Sequence, residues 1–144
     1  MADSLDDAVR DMVECLYGVI DRRDWSRVEA MVSSRLVIEV GSSVPIGWDE
    51  WRANLEVLYR GFPDGRHVIE EVLVDGSHGI SRSRFTGTHT GEFHGLAPTG
   101  TKVSAGVIHI DRFQGDMLVA HRGQIDMYGL LQQLGGIETP PAST

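Results

Sequence analysis

The residues best suited to chemistry lie on two strand-like runs near the end of the chain, about 102–113 and 117–127. A two-residue loop at 114–115 or 115–116 predicts a hairpin and fixes which side chains share a face. Either loop places an imidazole, a guanidinium, an amide and two carboxylates on one face. Groups of these types can exchange protons with a bound molecule or hold its polar atoms. The residues of this face are His109, Asp111, Arg122, Gln124 and Asp126.

The opposite face of the same hairpin carries Ile108, Ile110, Val119, His121 and Ile125. Polar residues at core-like positions are costly unless they are paired or used. The polar face therefore lines a cavity, or it is solvated and the Ile/Val face is the core; alternation alone does not choose. In either register His109 and Asp126 are separated by at least four residues along the strand direction, on the order of 13 Å. They can flank a ligand without touching each other.

Other kinds of active site find less support in the sequence. His89 and His94, with Glu92 between them, have a spacing seen in metal sites, but strand alternation puts the two rings on opposite faces. We therefore predict no metal ligands. Cys15 is the only cysteine and lies in a helical pattern, which predicts a buried structural thiol. There is no nucleophile elbow and no phosphate-binding glycine loop.

The elements that must position these groups follow from hydrophobic periodicity and turn residues. Apolar residues at helical spacing predict helices that begin near Leu5, Asp24 and Trp48. A strand is predicted at 36–40, and a short helix after Asp126. Four further strands joined by short turns predict antiparallel hairpins, and helices followed by strands indicate an α+β fold. These strands are predicted at 66–75, 78–90, 102–113 and 117–127.

The bulk composition limits the partners of the chain. Its 144 residues, 41% hydrophobic and 24% charged, predict one globular domain at 1–136 and a disordered tail at 137–144. The formal net charge of -8 argues against binding to nucleic acid or to an anionic membrane. No apolar run approaches the roughly 20 residues of a membrane span, and no leader pattern is present. We expect a cytoplasmic protein.

Several short motifs carry a resemblance to a known family. From Trp48 to Gly135 the chain resembles the SnoaL-like polyketide cyclases, which are relatives of ketosteroid isomerase with the nuclear transport factor 2-like fold. The helical N-terminal part agrees in order and length, so the resemblance covers nearly the whole chain. The matching pieces are Gly61-Phe62-Pro63-Asp64, Gly87-Thr88-His89-Thr90-Gly91-Glu92-Phe93, Pro98-Thr99-Gly100, and Asp126 followed by Gly129-Leu130-Leu131-Gln132-Gln133-Leu134-Gly135.

The resemblance implies a fold, an activity and a site. The fold would be a cone-shaped, strongly bent antiparallel sheet closed by N-terminal helices, an α+β barrel with its active site inside. The protein would be a homodimer that closes a ring of a polyketide in antibiotic biosynthesis, as a lyase or isomerase without metal or organic cofactor. By motif position the acid/base carboxylate would be Asp126, assisted by His109. The expected substrate-binding residues are Arg122, Gln124, Glu39, Trp51, Tyr17, Phe62 and His89.

Three departures from the family leave alternatives open. Many members carry tryptophan in place of Arg122, aspartate in place of His109 and histidine in place of Glu39. The cavity could instead fold a linear polyene for a cycloaddition. Asp111, Arg122 and Asp126 on one face could open an epoxide. The domain could also be a small-molecule binding module without catalysis.

Overall fold

Within residues 4–41 and 44–138, which the computed structural model describes, the chain forms four helices and five strands. Helix α1 begins after Ser4, whose side chain accepts the Asp7 backbone N–H in a capping box. The predicted elements are confirmed to within a few residues. Their bounds are α1 Leu5–Asp21, α2 Trp25–Met31, β1 Val32–Val40, α3 Trp48–Gly61, β2 Arg66–Asp75, β3 His78–Thr88, β4 Lys102–Gln114, β5 Met117–Ile125 and α4 Met127–Gln133. Residues 139–144 of the predicted tail lie outside the described residues.

The strands form one sheet in the order β1-β5-β4-β3-β2. The last four strands pair antiparallel, as their short turns predict, but β1 pairs parallel with β5. The parallel pair is possible because a long connection, residues 41–116, runs between these two strands. The α+β class is therefore confirmed, whereas the sheet is mixed and is not closed into a barrel.

Helix α1 packs its apolar stripe onto β2 and β3. Val9 and Val13 are buried on this stripe. Opposite them β3 carries Gly79, where a Cβ atom would lie 2.5 Å from a methyl group of Val13. Glycine at this position therefore permits the close approach of helix and sheet that buries the core.

The β4–β5 hairpin contains a bulge that changes which side chains face the helices. Gln114 pairs with Met117 across a two-residue loop, as one of the two predicted registers has it, but Arg112 pairs with Ala120. Val119 is left without a partner between the two pairs. Because side chains alternate with a period of two, one extra residue exchanges the faces of β5 beyond it.

The predicted shared face is therefore wrong beyond the bulge. His121 lies opposite Asp111, and Gly123 lies opposite His109, on the buried side of the sheet. The polar residues that were expected to join them are all exposed: Arg122, Gln124 and Asp126.

Candidate active site

An apolar cavity of about 340 Å³ lies between α3 and the covered face of the sheet. This volume is at the lower end of the range for small-molecule sites. Among the described residues, none of the side chains lining it belongs to Asp, Glu, Lys or Arg. Its apolar walls come from both layers and from the loop after β3: Val40, Trp51, Leu55, Val57, Leu58, Phe85, Phe93, Val107, Ile125 and Met127.

Three imidazole rings from neighbouring parts of the sheet line one side of this cavity. His67 lies on β2, His109 on β4 and His121 on β5. The ring centroid of His109 is 5.6 Å from that of His67 and 5.1 Å from that of His121. We call these three residues the imidazole cluster. Besides the cluster, the polar lining residues are Asn54, His94 and Gln124.

His121 is held by a buried carboxylate. Its Nδ1 lies 2.6 Å from Oδ1 of Asp111, and Oδ2 of Asp111 accepts the hydroxyl of Tyr17 at 2.6 Å. Burial, reinforced by the charge of Asp111, raises the pKa of Tyr17 well above its usual value, so the phenol stays a donor. A carboxylate can only accept, so we assign the proton to Nδ1 of His121. In the neutral form of this ring Nε2 carries the lone pair.

His67 has a similar partner at the end of α1. Its Nδ1 lies 2.7 Å from Oδ1 of Asp21, which also accepts the hydroxyl of Tyr59 at 2.6 Å. Oδ2 of Asp21 accepts the backbone N–H of His67 at 2.8 Å. Burial and the charge of Asp21 raise the pKa of Tyr59 far above its usual value. This carboxylate therefore joins α1, α3 and β2.

His109 occupies the centre of the cluster without a carboxylate. Its ring stacks on Tyr17 with centroids 4.6 Å apart and planes 14° apart. Burial, followed by the neighbouring His121 and His67, lowers the pKa of His109 well below its usual range, so the ring is neutral at pH 7. Its Nδ1 is buried and has no hydrogen-bond partner among the described residues.

Gly123 lines the cavity beside two of the imidazoles, where a side chain would crowd both rings. An ideal Cβ atom at this position would lie 3.4 Å from Nε2 of His121 and 3.5 Å from Nε2 of His109. The same atom would lie 3.0 Å from Cδ2 of His109, which is tighter than ordinary packing. The absence of a side chain thus keeps both nitrogens accessible at a single point of the cavity wall.

Asp126 lies outside the cavity, contrary to its predicted position. It is exposed at the N-cap of α4, where Oδ1 accepts the Gly129 backbone N–H at 2.9 Å. Aspartate is favoured at such a cap because its side chain satisfies a free N–H of the first turn. The catalytic role of Asp126 stays a prediction, which is tested below.

The predicted guanidinium site also faces outward. Nε of Arg122 lies 3.8 Å from a carboxylate oxygen of Glu39, and both side chains are largely exposed on the outer face of the sheet. Gln124 is exposed but borders both the cavity and an outer groove. The predicted epoxide-opening trio is not brought together, because Asp111 is buried while Arg122 and Asp126 point away from it.

The remaining predicted site residues divide between the cavity and the core. Trp51 lines the cavity, and the centroid of its ring lies 4.5 Å from that of His121. Tyr17 is buried in the core, with its ring stacked on that of His109. Phe62 is buried among aromatic rings, and its neighbour His89 accepts the Thr99 backbone N–H at 3.2 Å; neither of them lines the cavity.

One simpler expectation, the burial of Cys15, can also be compared with the structure. Cys15 is exposed, so its predicted burial is wrong; it lies on the side of α1 turned away from the sheet. Among the described residues there is no group of three or more His, Cys, Asp or Glu side chains arranged to hold a metal ion. No helix in the same ranges is both long and apolar enough to cross a membrane.

Sequence reasoning missed His67 and Asp21 and placed His121 on the wrong face. The alternation of His67 with Ile69 along β2 was the available signal for an inward ring. For Asp21 there was none, since a carboxylate at a helix end is most often solvated. The side of the sheet on which His121 lies depends on the bulge at Val119, and no residue type in the turn predicts that bulge.

The fold and the cavity together define an α+β domain with a set of imidazoles along one side of an apolar cavity. A family model described as SnoaL-like polyketide cyclase matches residues 7–134. The chain therefore belongs to the SnoaL-like polyketide cyclase family.

Solved structures resemble the chain over nearly its whole length. AclR from Streptomyces galilaeus, a candidate hydroxylase, is 25% identical with a TM-score of 0.85, covering 93% of this chain and 85% of its own. IdmH from Streptomyces antibioticus, a candidate polyketide cyclase, is 23% identical with a TM-score of 0.81, covering 88% and 98%. A candidate SnoaL-like polyketide cyclase from Jannaschia sp. CCS1 is 20% identical with a TM-score of 0.81, covering 98% and 99%. A comparison with curated proteins finds no match.

Proposed function

We propose that this protein closes a carbon ring of a polyketide by acid/base catalysis on the imidazole cluster. The observation that carries the proposal is the position of His67, His109 and His121 along one side of a cavity whose walls are mostly apolar. Imidazole is the side chain best suited to proton transfer near neutral pH. Family membership supports the reaction class, and IdmH and the Jannaschia protein are both described as candidate polyketide cyclases.

The lining of the cavity favours a neutral substrate. A ligand carboxylate or phosphate would meet no Lys or Arg there, and an unpaired charge is costly in apolar surroundings. The enclosed part of the substrate is therefore an uncharged polyketone whose carboxyl group is esterified, cyclised or absent. Its carbonyl oxygens face the imidazoles, and its hydrocarbon faces rings such as Trp51, Phe85 and Phe93.

An aldol-type ring closure needs only proton transfers that these groups can perform. A base removes a proton from a carbon flanked by carbonyls, and the resulting enolate carbon attacks a second carbonyl. The alkoxide formed then takes up a proton. We therefore propose a lyase- or isomerase-type reaction without metal or organic cofactor. In this proposal the acid/base role belongs to the cluster, including the predicted His109, rather than to Asp126.

The experiment is to incubate the purified protein with a linear polyketone ester and to follow the cyclic product by liquid chromatography and mass spectrometry. We expect His109→Gln to lower the turnover by about 100-fold and Asp126→Asn to leave it within about twofold. Full turnover in the His109 variant would favour ring closure by substrate folding alone. A loss confined to the Asp126 variant would return the role to that carboxylate, and binding without turnover would favour a binding module.

The proposed setting is that of a cytoplasmic homodimer in antibiotic biosynthesis. The outer face of the sheet supports self-association, because it exposes several large apolar side chains, which soluble monomers seldom group together. Light scattering coupled to size-exclusion chromatography tests it; a monomeric mass would contradict the dimer. The exposed residues are Val37, Val68, Leu73, Ile108 and Ile110.

A further inference from the structure

The geometry points to an enolisation site in front of Gly123, at which His121 removes a proton from carbon and His109 donates a hydrogen bond to the enolate oxygen. The assignment rests on the proposed function, because an aldol-type ring closure begins with an enolate. It goes further by giving the two neighbouring imidazoles opposite roles. It also predicts an activity, the exchange of protons next to a ketone, that needs no ring closure.

The role of His121 follows from its partner. Asp111 accepts a hydrogen bond from the Nδ1–H of His121 at 2.6 Å, so in the neutral ring Nε2 is the nitrogen that carries the lone pair and can take up a proton. The carboxylate also stabilises the imidazolium that forms when Nε2 becomes protonated. Tyr17 occupies the other oxygen of Asp111 and holds the carboxylate in place. Asp111 and Tyr17 are positioning residues for His121.

The role of His109 follows from its lack of a partner. A proton on Nδ1 would leave a buried N–H donor without an acceptor among the described residues, which is rarer and costlier than an unpaired acceptor. A proton on Nε2 instead gives a donor directed toward the accessible side of the ring. A neutral imidazole of this kind can polarise a carbonyl without giving up its proton.

The two roles meet at a single point. Nε2 of His121 and Nε2 of His109 lie 3.4 Å and 3.5 Å from the position of a Cβ atom on Gly123. Near this point an α-carbon can face the first nitrogen while the carbonyl oxygen faces the second. His67 is not among the atoms nearest to this point.

The proposed step is balanced in protons and electrons. The lone pair on Nε2 of His121 takes the α-proton and the ring becomes an imidazolium. The electrons of the C–H bond form the carbon–carbon double bond of the enolate, and the π electrons of the carbonyl move onto oxygen. That oxygen accepts the N–H of His109. During ring closure the imidazolium returns its proton to the new alkoxide, which restores His121.

The activity can be tested with a small neutral ketone. In D₂O at neutral pH, proton NMR follows the loss of the α-methylene signal of 2-tetralone, corrected for exchange in buffer. We expect the wild-type protein to accelerate the exchange and His121→Gln to lose at least about 100-fold of it. His78→Gln is the matched control, since His78 borders an outer groove of the sheet, and it should keep the full rate.

A second variant tests the site without removing either imidazole. Gly123→Ala places a methyl group in front of both Nε2 atoms, so the exchange should fall by at least about tenfold. The binding of 2-naphthol, the phenolic counterpart of the enol, should weaken by a similar factor in calorimetry. Gly106→Ala on β4 is the control, because a Cβ atom there meets no atom within 4 Å. Circular dichroism confirms that each variant is folded.

The results separate this assignment from the proposed function. No acceleration by the wild type, or an exchange rate that survives both His121→Gln and Gly123→Ala, would overturn the enolisation site. If the same wild-type protein still cyclised the polyketone ester, ring closure would stand without it. Exchange that depends on His121 together with a failure to cyclise would retain the site and reject the proposed reaction.

Discussion

Two buried carboxylate–histidine pairs in this protein each have a tyrosine as a third partner, but the two differ in their surroundings. In each, an aspartate accepts a tyrosine hydroxyl at 2.6 Å and lies 2.6–2.7 Å from the Nδ1 atom of a histidine. The Asp21–His67 pair joins the end of α1 to β2 and, through Tyr59, to α3. The Asp111–His121 pair spans two adjacent strands and, through Tyr17, joins them to α1.

The difference lies in what remains free. Asp21 also accepts a backbone N–H, and its side chain is 16% exposed, whereas Asp111 is fully buried with one side-chain donor on each oxygen. Nε2 of His121 opens toward the space left by Gly123. The first pair is therefore placed to hold elements together, and the second to present a base. The same chemical unit serves structure or catalysis according to what surrounds the far nitrogen.

The largest expected effect separates the two histidines. In the ketone exchange assay, His121→Gln should lose about 100-fold or more, because the base is removed. His67→Gln should lose less than about tenfold, since its ring only borders the site. Equal losses in the two variants would contradict the different roles assigned to His121 and His67.

The two aspartates should separate in the opposite sense when stability is measured. In Asp21→Asn the new NH₂ group can take either of two positions. In one position it meets the backbone N–H of His67, which is also a donor and cannot turn away. In the other position the Tyr59 hydroxyl and the His67 ring lose their acceptor. In Asp111→Asn the Tyr17 hydroxyl can rotate to accept from the new amide. We expect urea unfolding to show a loss of about 2 kcal/mol for Asp21→Asn and about 1 kcal/mol for Asp111→Asn. The reverse order would contradict the structural role of the first pair.

The pH dependence of stability tests the environment of His109, whose ring lies between those of His67 and His121. Its folded-state pKa is lowered, so the unfolded chain binds more protons below the ordinary histidine pKa of about 6.5. The stability that depends on a neutral His109 ring is therefore fully present above that pH and is lost as the pH falls below it. The free energy of unfolding should drop by up to about 1.4 kcal/mol per pH unit below this value on account of His109. His109→Gln should have a correspondingly shallower slope in urea titrations at pH 7.5, 6.5 and 5.5.

The smallest effect is expected for a carboxylate that belongs to neither pair. Asparagine caps helices about as well as aspartate, so Asp126→Asn should change the free energy of unfolding by less than about 0.5 kcal/mol. Asp126→Ala removes the bond to the Gly129 N–H and should cost about 1 kcal/mol. Thermal unfolding of both variants measures the difference. A large loss of turnover in Asp126→Asn would instead give this residue the catalytic role that its motif position implies.

Much of the fold could be predicted because it depends on local pattern. The turns at 76–77 and 115–116 and the alternation on either side of them locate the four strands β2 to β5 to within two residues. The glycine and proline of Gly61-Phe62-Pro63-Asp64, which break helices, mark the end of α3. Family motifs such as Gly87-Thr88-His89 indicate the cyclase family, which the match over residues 7–134 confirms.

The candidate site was predicted less well because its parts are distant in sequence or depend on one irregularity. His109 was expected in the cavity and lies there, as does Trp51. Arg122, Gln124 and Asp126 were assigned to the same face by strict alternation, which the unpaired Val119 interrupts. Helical periodicity shows which stripe of α1 is apolar but not which strand it will meet.

By itself the sequence determined the class of fold, the family and the presence of imidazoles suited to proton transfer, because periodicity, turn residues and short motifs are local properties. Only the tertiary structure decided which imidazole is paired and which is free. The Tyr17–Asp111 bond joins residues 94 positions apart, and the Asp21–His67 pair spans 46 positions. Such contacts depend on how α1 docks on the sheet. The face of His121 depends on a single bulge, and one residue is enough to reverse a period of two.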